Sequence, residues 1–183
     1  MTGGPTIGLC FNPWPRKPLA KDAEISWLDA TDALYWKTEE NKESYTGKIV
    51  TLYQVCFFNV KTTFSTVSPG TYDVVWRLKV HPEHKGLTNL KFTAEVIEQV
   101  KKAPSGFKGY NKLETYDSNE ALFKDLASKY RWVDLTLPFK ITIPEERLIG
   151  DESTWYDVEV KIFDHSGYWK SGLSLDNVCL RPY

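Results

Sequence analysis

The strongest constraint on the fold is an alternation of apolar and polar side chains with a period of two. Within residues 71–80 the alternate apolar positions are Tyr72, Val74, Trp76, Leu78 and Val80. Successive side chains of a β-strand point to opposite faces of its sheet, so this pattern predicts a strand with one face on a core and one in water. The alternation recurs over residues 90–100, 131–137, 155–163 and 173–180.

Residues 49–60 are apolar at both parities, which predicts a strand covered on both sides or one whose exposed aromatics serve a contact. Turn signals separate the predicted strands at Pro69-Gly70, Lys85-Gly86, 104–106 and Ser166-Gly167. Strands at this spacing predict an all-β chain that forms a sandwich or a barrel. We expect an antiparallel β-sandwich of jelly-roll type. In the last strand, Asp176-Asn177 interrupts the alternation, which indicates a bulge or a turn.

One short helix is predicted over residues 121–130 as a covering element between strands. Its apolar side chains share one face, and residues 117–119 offer oxygens that can cap its first turn. At 183 residues the chain is expected to form one domain. Residues 1–22 contain four prolines and are expected to be an irregular lead-in to a domain over residues 23–183.

Charge and cysteine usage exclude several classes of protein. The 23 basic and 24 acidic side chains are spread along the chain, so the clustered cationic footprint of a nucleic-acid-binding protein is missing. No secretory signal or membrane span is expected. Cys10, Cys56 and Cys179 are odd in number and lack metal-type spacing, and two of them lie in apolar strand patterns. We therefore expect three free thiols and a reducing compartment.

Tryptophans mark both ends of the predicted domain. Ile25-Ser26-Trp27 and Tyr35-Trp36-Lys37 place two tryptophans a short loop apart, and the chain closes with a Trp-Lys-Ser-Gly-Leu run from residue 169 and an Arg-Pro at 181–182. These features resemble the Nictaba and phloem protein 2 family of plant lectins over residues 25–183. The resemblance implies a non-catalytic sugar-binding module of the cytoplasm and nucleus.

Trp27, Tyr35 and Trp36 are the first candidate binding residues. An indole lying flat on the axial C–H groups of a pyranose removes apolar area from water and fixes the orientation of the ring. Trp27 and Trp36 match the two tryptophan landmarks of the family, although the eight residues between them form a longer gap. The alternative is that both tryptophans are core aromatics, since tryptophan is usually mostly buried.

The second candidate set is Asp164, Tyr168, Trp169 and Lys170. A carboxylate and an ammonium beside an aromatic platform supply the acceptors and donors that sugar hydroxyls need. The run Tyr168-Trp169-Lys170 also resembles that of sugar-recognising F-box-associated domains, which grip the chitobiose core of N-glycans. If Lys170 lies in a partly exposed loop, its removal should weaken binding and leave folding nearly unchanged. The alternative is that Trp169 packs into the core at the start of the last strand.

No catalytic or metal site is expected. Asp164, His165 and Ser166 are neighbours along the chain, and a catalytic triad needs side chains that converge from distant segments. His81 and His84 have no third ligand nearby for zinc. The family resemblance therefore implies a lectin without cofactors that binds N-acetylglucosamine oligomers or the N-glycan core, whose weak affinity for single sugars a homodimer would raise by avidity. The alternatives are a protein-interaction module on the same sandwich and, less favoured, a glycoside hydrolase.

Overall fold

In the computed structural model, which describes residues 14–28 and 34–183, two antiparallel β-sheets pack face to face. In chain order the elements are β1 (Arg16–Pro18), α1 (Leu19–Asp22), β2 (Glu24–Ile25), β3 (Trp36–Glu40), β4 (Lys48–Leu52), β5 (Phe58–Phe64), β6 (Gly70–Lys85), β7 (Lys91–Val100), β8 (Asn111–Asp117), α2 (Glu120–Lys129), β9 (Val133–Ile143), β10 (Leu148–Ile149), β11 (Glu152–Asp164) and β12 (Ser171–Pro182).

The first sheet has the strand order β3-β4-β12-β6-β9, and β1 also pairs with β12. The second sheet has the order β2-β5-β11-β7-β8, and β10 pairs with β11. Every named pair is antiparallel. Neighbouring strands are often far apart in sequence, as where β12 lies between β4 and β6. This architecture confirms the predicted all-β sandwich.

The alternating strands fold as their period predicts. In β6 the set Tyr72, Val74, Trp76, Leu78 and Val80 is buried, and in β11 buried and half-buried side chains alternate from Thr154 to the end of the strand. The two sheets share one apolar core, in which Trp76 of β6 meets Phe92 of β7 edge to face with ring centroids 6.3 Å apart. Burial of these faces is the main favourable contribution to folding.

Residues 49–60 do not form a single strand. They divide into β4 in the first sheet and β5 in the second, and residues 53–57 cross from one sheet to the other. The segment is apolar at both odd and even positions because β4 packs on the core from the first sheet and β5 packs on it from the second. The sequence pattern left two interpretations open, a strand covered on both sides or one with exposed aromatics. The structure agrees with exposed aromatics, since Tyr53 and Phe57 in the crossing segment are each 48% exposed.

The predicted helix and the predicted bulge are both present. Asn119 caps α2 by accepting a hydrogen bond from the Leu122 backbone N–H at 3.0 Å, and Phe123 is fully buried. In β12 the register shifts between Leu175 and Asn177. None of the helices within residues 14–28 and 34–183 is long and apolar enough to span a bilayer.

The start of the described chain is part of the sandwich instead of an irregular lead-in. Arg16 pairs with Cys179 in the β1–β12 ladder, and Leu19 is fully buried in the core. The Thr62 hydroxyl donates a hydrogen bond to the Asp22 carbonyl at 2.9 Å, which attaches α1 to β5. The boundary predicted after residue 22 therefore lies inside the folded unit, while residues 1–13, with Cys10, lie outside the described residues.

Candidate functional site

Three connections between strands meet at one end of the sandwich. The chain enters β3 and β5 here and leaves β4 and β11 here, because Trp36 pairs with Leu52 and Asp164 pairs with Phe58. A cleft opens between these connections, and we call it the aromatic cleft. Its lining residues are Trp27, Tyr35, Val55, Cys56 and Trp169.

Trp27 stands at the edge of the aromatic cleft on a tight turn. The Leu28 backbone N–H donates to the Ile25 carbonyl at 3.3 Å, and the Trp27 φ angle is +70°. A bulky residue with positive φ is a strained outlier, and such strain concentrates at binding sites. The Trp27 side chain is 53% exposed, and its ring lies 5.7 Å from the ring of Tyr35. The turn therefore presents an indole face to solvent.

Trp36 does not reach the cleft surface. It opens β3 with its side chain directed into the sandwich, is 2% exposed, and packs with Phe58 at a ring separation of 5.4 Å. An indole buried this way has no face left for a ligand, so the expectation that Trp36 stacks on a sugar is wrong for this structure. Its alternative, a core aromatic, describes what is found.

Lys170 is fully buried, and its ammonium is surrounded by oxygens of the protein. It donates to the carbonyls of Cys56 and Tyr168, both at 2.8 Å, and reaches the carbonyl and hydroxyl of Ser166 at 3.2 Å each. A carboxylate oxygen of Asp164 lies 3.1 Å away. An ammonium has three protons to donate, and these partners use them all.

Asp164 is the anionic partner of this buried group and is 6% exposed. Its carboxylate accepts hydrogen bonds from the Ser166 backbone N–H at 2.7 Å and from the Ser166 hydroxyl at 3.0 Å. The expectation that Asp164 and Lys170 bind sugar directly from an exposed loop is therefore wrong for this structure. Together they shape the loop from 164 to 170 from within.

The same loop turns Trp169 and Tyr168 outward. Trp169 is 57% exposed and Tyr168 is 73% exposed, so Trp169 is not the core residue that the alternative reading described. Lys170 and Val55 form a two-bond bridge, with N···O distances of 2.7 and 3.0 Å, that fixes the loop against the crossing segment. Gly86 has a φ of +66° and lies directly under the Trp169 carbonyl, where an added Cβ would clash.

A second, polar cleft borders the Trp27 turn. Its polar lining groups include Lys21, Glu24, Ser26 and Asn59. The Asn59 Oδ1 is buried and has no hydrogen-bond partner among the residues described. Buried acceptors without a donor are uncommon in native structures.

Sequence reasoning missed several of these residues. Val55, Cys56 and Asn59 belong to the crossing segment and to β5, where the pattern predicted one continuous strand. The aromatics of that segment were the available signal, because a strand apolar at both parities can expose side chains for contact. What the sequence did not indicate was that the crossing segment would lie beside Trp27 and Trp169.

The aromatic cleft offers an apolar surface without an ionised side chain of its own. Across residues 14–28 and 34–183, no three His, Cys, Asp or Glu side chains are grouped as metal ligands. His81 and His84 are used locally: the His81 ring bonds the Ser174 hydroxyl at 3.0 Å, and the His84 ring bonds the His81 carbonyl at 3.0 Å. The chemistry that the cleft supports is flat apolar contact bordered by polar groups.

Comparisons with known proteins identify the family. The family model described as phloem protein 2 matches residues 19–182. Protein PHLOEM PROTEIN 2-LIKE A1 of Arabidopsis thaliana is 27% identical over 170 residues, which cover 89% of this chain. The matched region spans 59% of the length of that relative.

Two solved structures align at lower similarity. The carbohydrate-binding module TmCBM61, in complex with β-1,4-galactotriose, aligns with 94% of this chain and 90% of its own, at 13% identity and a TM-score of 0.39. An exo-β-1,3-galactanase from Phanerochaete chrysosporium aligns with 91% of this chain and 29% of its own, at 9% identity and a TM-score of 0.43.

Proposed function

The chain belongs to the phloem protein 2 family, and from this premise we propose that its aromatic cleft binds carbohydrate without catalysis. The proposed ligands are N-acetylglucosamine oligomers or the core of N-glycans. The observation that carries the proposal is the pair of half-exposed indoles, Trp27 and Trp169, which line one cleft from two segments far apart in sequence.

A pyranose ring has a suitable shape for this pair. Its axial C–H groups form a flat apolar face, and an indole that covers this face removes it from water. The two indoles stand on backbone that is already held in place, Trp27 by its turn and Trp169 by the buried Lys170. Pre-organisation of this kind lowers the entropy lost on binding.

The polar groups of a sugar need partners as well. The polar cleft beside the Trp27 turn supplies a polar side chain at Ser26 and charged groups at Lys21 and Glu24. We assign to these side chains the hydrogen bonds that the sequence interpretation gave to Asp164 and Lys170. A shallow, solvated site of this kind should bind single sugars weakly, and a homodimer would raise the apparent affinity by avidity.

Isothermal titration with N-acetylglucosamine oligomers tests the proposal. Trp27→Ala and Trp169→Ala should each weaken binding by about tenfold or more, equivalent to about 1.4 kcal/mol. Tyr183→Ala is the matched control, because Tyr183 is 82% exposed and follows the end of β12 that lies away from Trp169. Chelator should leave binding intact, and no shorter fragments should appear. Unchanged affinity in both tryptophan variants would contradict the proposal.

A protein-interaction module is the second candidate, and the exposed aromatic surface favours it. Besides the two indoles, Tyr53, Phe57 and Tyr168 are each about half exposed or more, and exposed apolar patches often mark binding sites for proteins. Binding to a glycoprotein that free oligosaccharide inhibits supports the lectin. Binding that survives both sugar competition and removal of the glycans supports the interaction module.

The proposed compartment is the cytoplasm and nucleus. Cys179 is buried in β12 and Cys56 is half-buried beside the cleft, and both thiols are free. Free thiols fit a reducing compartment. Imaging of a fluorescent fusion in plant cells would test the assignment.

A further inference from the structure

A third cleft lies on the outer face of the first sheet, and we call it the arginine cleft. Its lining residues are Trp14, Arg16, Val75, Arg77, Asp134, Asn177, Cys179 and Arg181. It sits near the end of β12, where Cys179 is nine residues from Lys170, roughly 30 Å along the strand at a rise of about 3.3 Å per residue. It is therefore separate from the aromatic cleft.

Strand register brings the lining side chains together. Cys179 pairs with Arg16 on one side and with Val75 on the other, so these three residues form one row across the sheet. Asn177 pairs with Arg77 in the next row. Arg181 lies two residues beyond Cys179 and therefore points to the same face.

The three arginines differ in how their charges are balanced. Arg77 lies 3.1 Å from Asp134 and 3.2 Å from Asp176, and Arg181 lies 2.9 Å from Asp73. Arg16 has no carboxylate within 4.0 Å in the part of the chain that the structure describes. Its one hydrogen bond to a side chain there is a long one, 3.4 Å, to Asn177 Oδ1. Most of the five guanidinium donors of Arg16 are therefore available.

Asn177 adds an independent sign of a missing acceptor. The residue is 1% exposed, and its Nδ2 group has no hydrogen-bond partner within residues 14–28 and 34–183. A buried donor without an acceptor is unfavourable, and native structures contain few of them. An acceptor that enters the cleft would remove this penalty.

The cationic groups are held in place by an aromatic ring. The guanidinium carbons of Arg77 and Arg16 lie 3.7 and 4.7 Å from the ring centre of Tyr45. Tyr45 is anchored in turn, because its backbone N–H donates to the buried Asp176 carboxylate at 2.8 Å. Guanidinium groups fixed in this way lose little freedom when they bind an anion.

We propose that the arginine cleft binds a compact oxyanion, a carboxylate, sulfate or phosphate group. The guanidinium of Arg16 donates to it, and the unpaired donors of Arg181 and Asn177 border it. Oxyanions are the ligands that arginine recognises with paired hydrogen bonds. The site is independent of carbohydrate binding in the aromatic cleft.

Isothermal titration of the whole chain with sodium phosphate, sulfate and acetate, with chloride holding the ionic strength constant, tests the proposal. At least one of the three should bind, and Arg16→Gln should weaken it tenfold or more. Arg131→Gln is the matched control, because Arg131 is exposed and does not line the cleft; its affinity should stay within twofold of the parent. The three anions distinguish a planar from a tetrahedral ligand.

A second measurement keeps the test decisive if the Arg16 variant folds poorly. In the parent protein, backbone amide chemical shifts should move on titration at Arg16, Cys179 and Arg181. The proposal is overturned if none of the anions binds above the chloride background, if Arg16→Gln binds as the parent does, or if the shifts map to another surface.

Discussion

Replacement of Lys170 tests whether this lysine is a buried structural group. In Lys170→Met the side chain keeps a similar length and loses the ammonium. The Asp164 carboxylate then stays buried without its cation, and the carbonyls of Cys56 and Tyr168 each lose a donor at 2.8 Å. Removing one member of a buried ion pair costs about 3–5 kcal/mol.

Two features of the loop set the size of the effect. Asp164 keeps two hydrogen bonds from Ser166, so we expect the lower half of that range, about 3–4 kcal/mol. For a chain of this size each kcal/mol lowers the melting temperature by about 2–4 °C, so the midpoint should fall by about 6–16 °C. Urea titration followed by circular dichroism measures the free energy of unfolding directly.

Two further variants separate the causes. In Lys170→Met with Asp164→Asn the buried charge is gone, and part of the stability should return; the carbonyls still lack a donor, so recovery should be incomplete. Lys102→Met is the control, because Lys102 is an exposed lysine and its loss should leave the midpoint unchanged. A Lys170→Met protein within about 1 kcal/mol of the parent would refute the reasoning.

Three other predictions follow from the packing. The Arg147 guanidinium, with Nε and Nη2 each 2.6 Å from the Glu98 carboxylate, holds the pKa of Glu98 at about 2, below its usual 4.5. This stabilisation is present above about pH 4.5 and is lost as the pH falls towards 2, so urea midpoints at pH 6 and pH 3 should differ less in Glu98→Gln than in the parent. Trp36→Ala should lower the unfolding free energy by about 3–5 kcal/mol through its cavity, and a smaller loss by urea titration would place the indole outside the core. Gly86→Ala should displace the Trp169 carbonyl and weaken glycan binding, whereas normal affinity by titration calorimetry would show that this contact does not position the loop.

Local signals in the sequence predicted most of the sandwich. The period of two in β6 and β11 reflects the pleat of a strand, and the Asn119 cap and the bulge at residues 176–177 depend on near neighbours. Features of this kind need no knowledge of the rest of the chain. The family resemblance also rested on short runs of residues, and the match over residues 19–182 confirms it.

Position in the three-dimensional fold decided the roles of the candidate residues. Trp27 and Trp36 look equivalent in the sequence, yet one stands on a turn at 53% exposure and the other faces the core at 2%. The pairing of β1 with β12 likewise escaped the local pattern, and the side-chain hydrogen bond between Arg16 and Asn177 joins the two strands across 161 residues of sequence. The residues next to a tryptophan or within a proline-rich segment do not show which part of the folded chain that tryptophan or segment will contact.

Lys170 shows the limit most clearly. The sequence by itself determined that a lysine follows Trp169. Because lysine is almost always exposed, the sequence also indicated that the Lys170 ammonium would contact a ligand. The tertiary structure places that ammonium among the carbonyls of Cys56 and Tyr168 and the carboxylate of Asp164, of which Cys56 lies 114 residues away along the chain. Burial of a charge depends on oxygens that converge from separate segments, and only the folded chain brings them together.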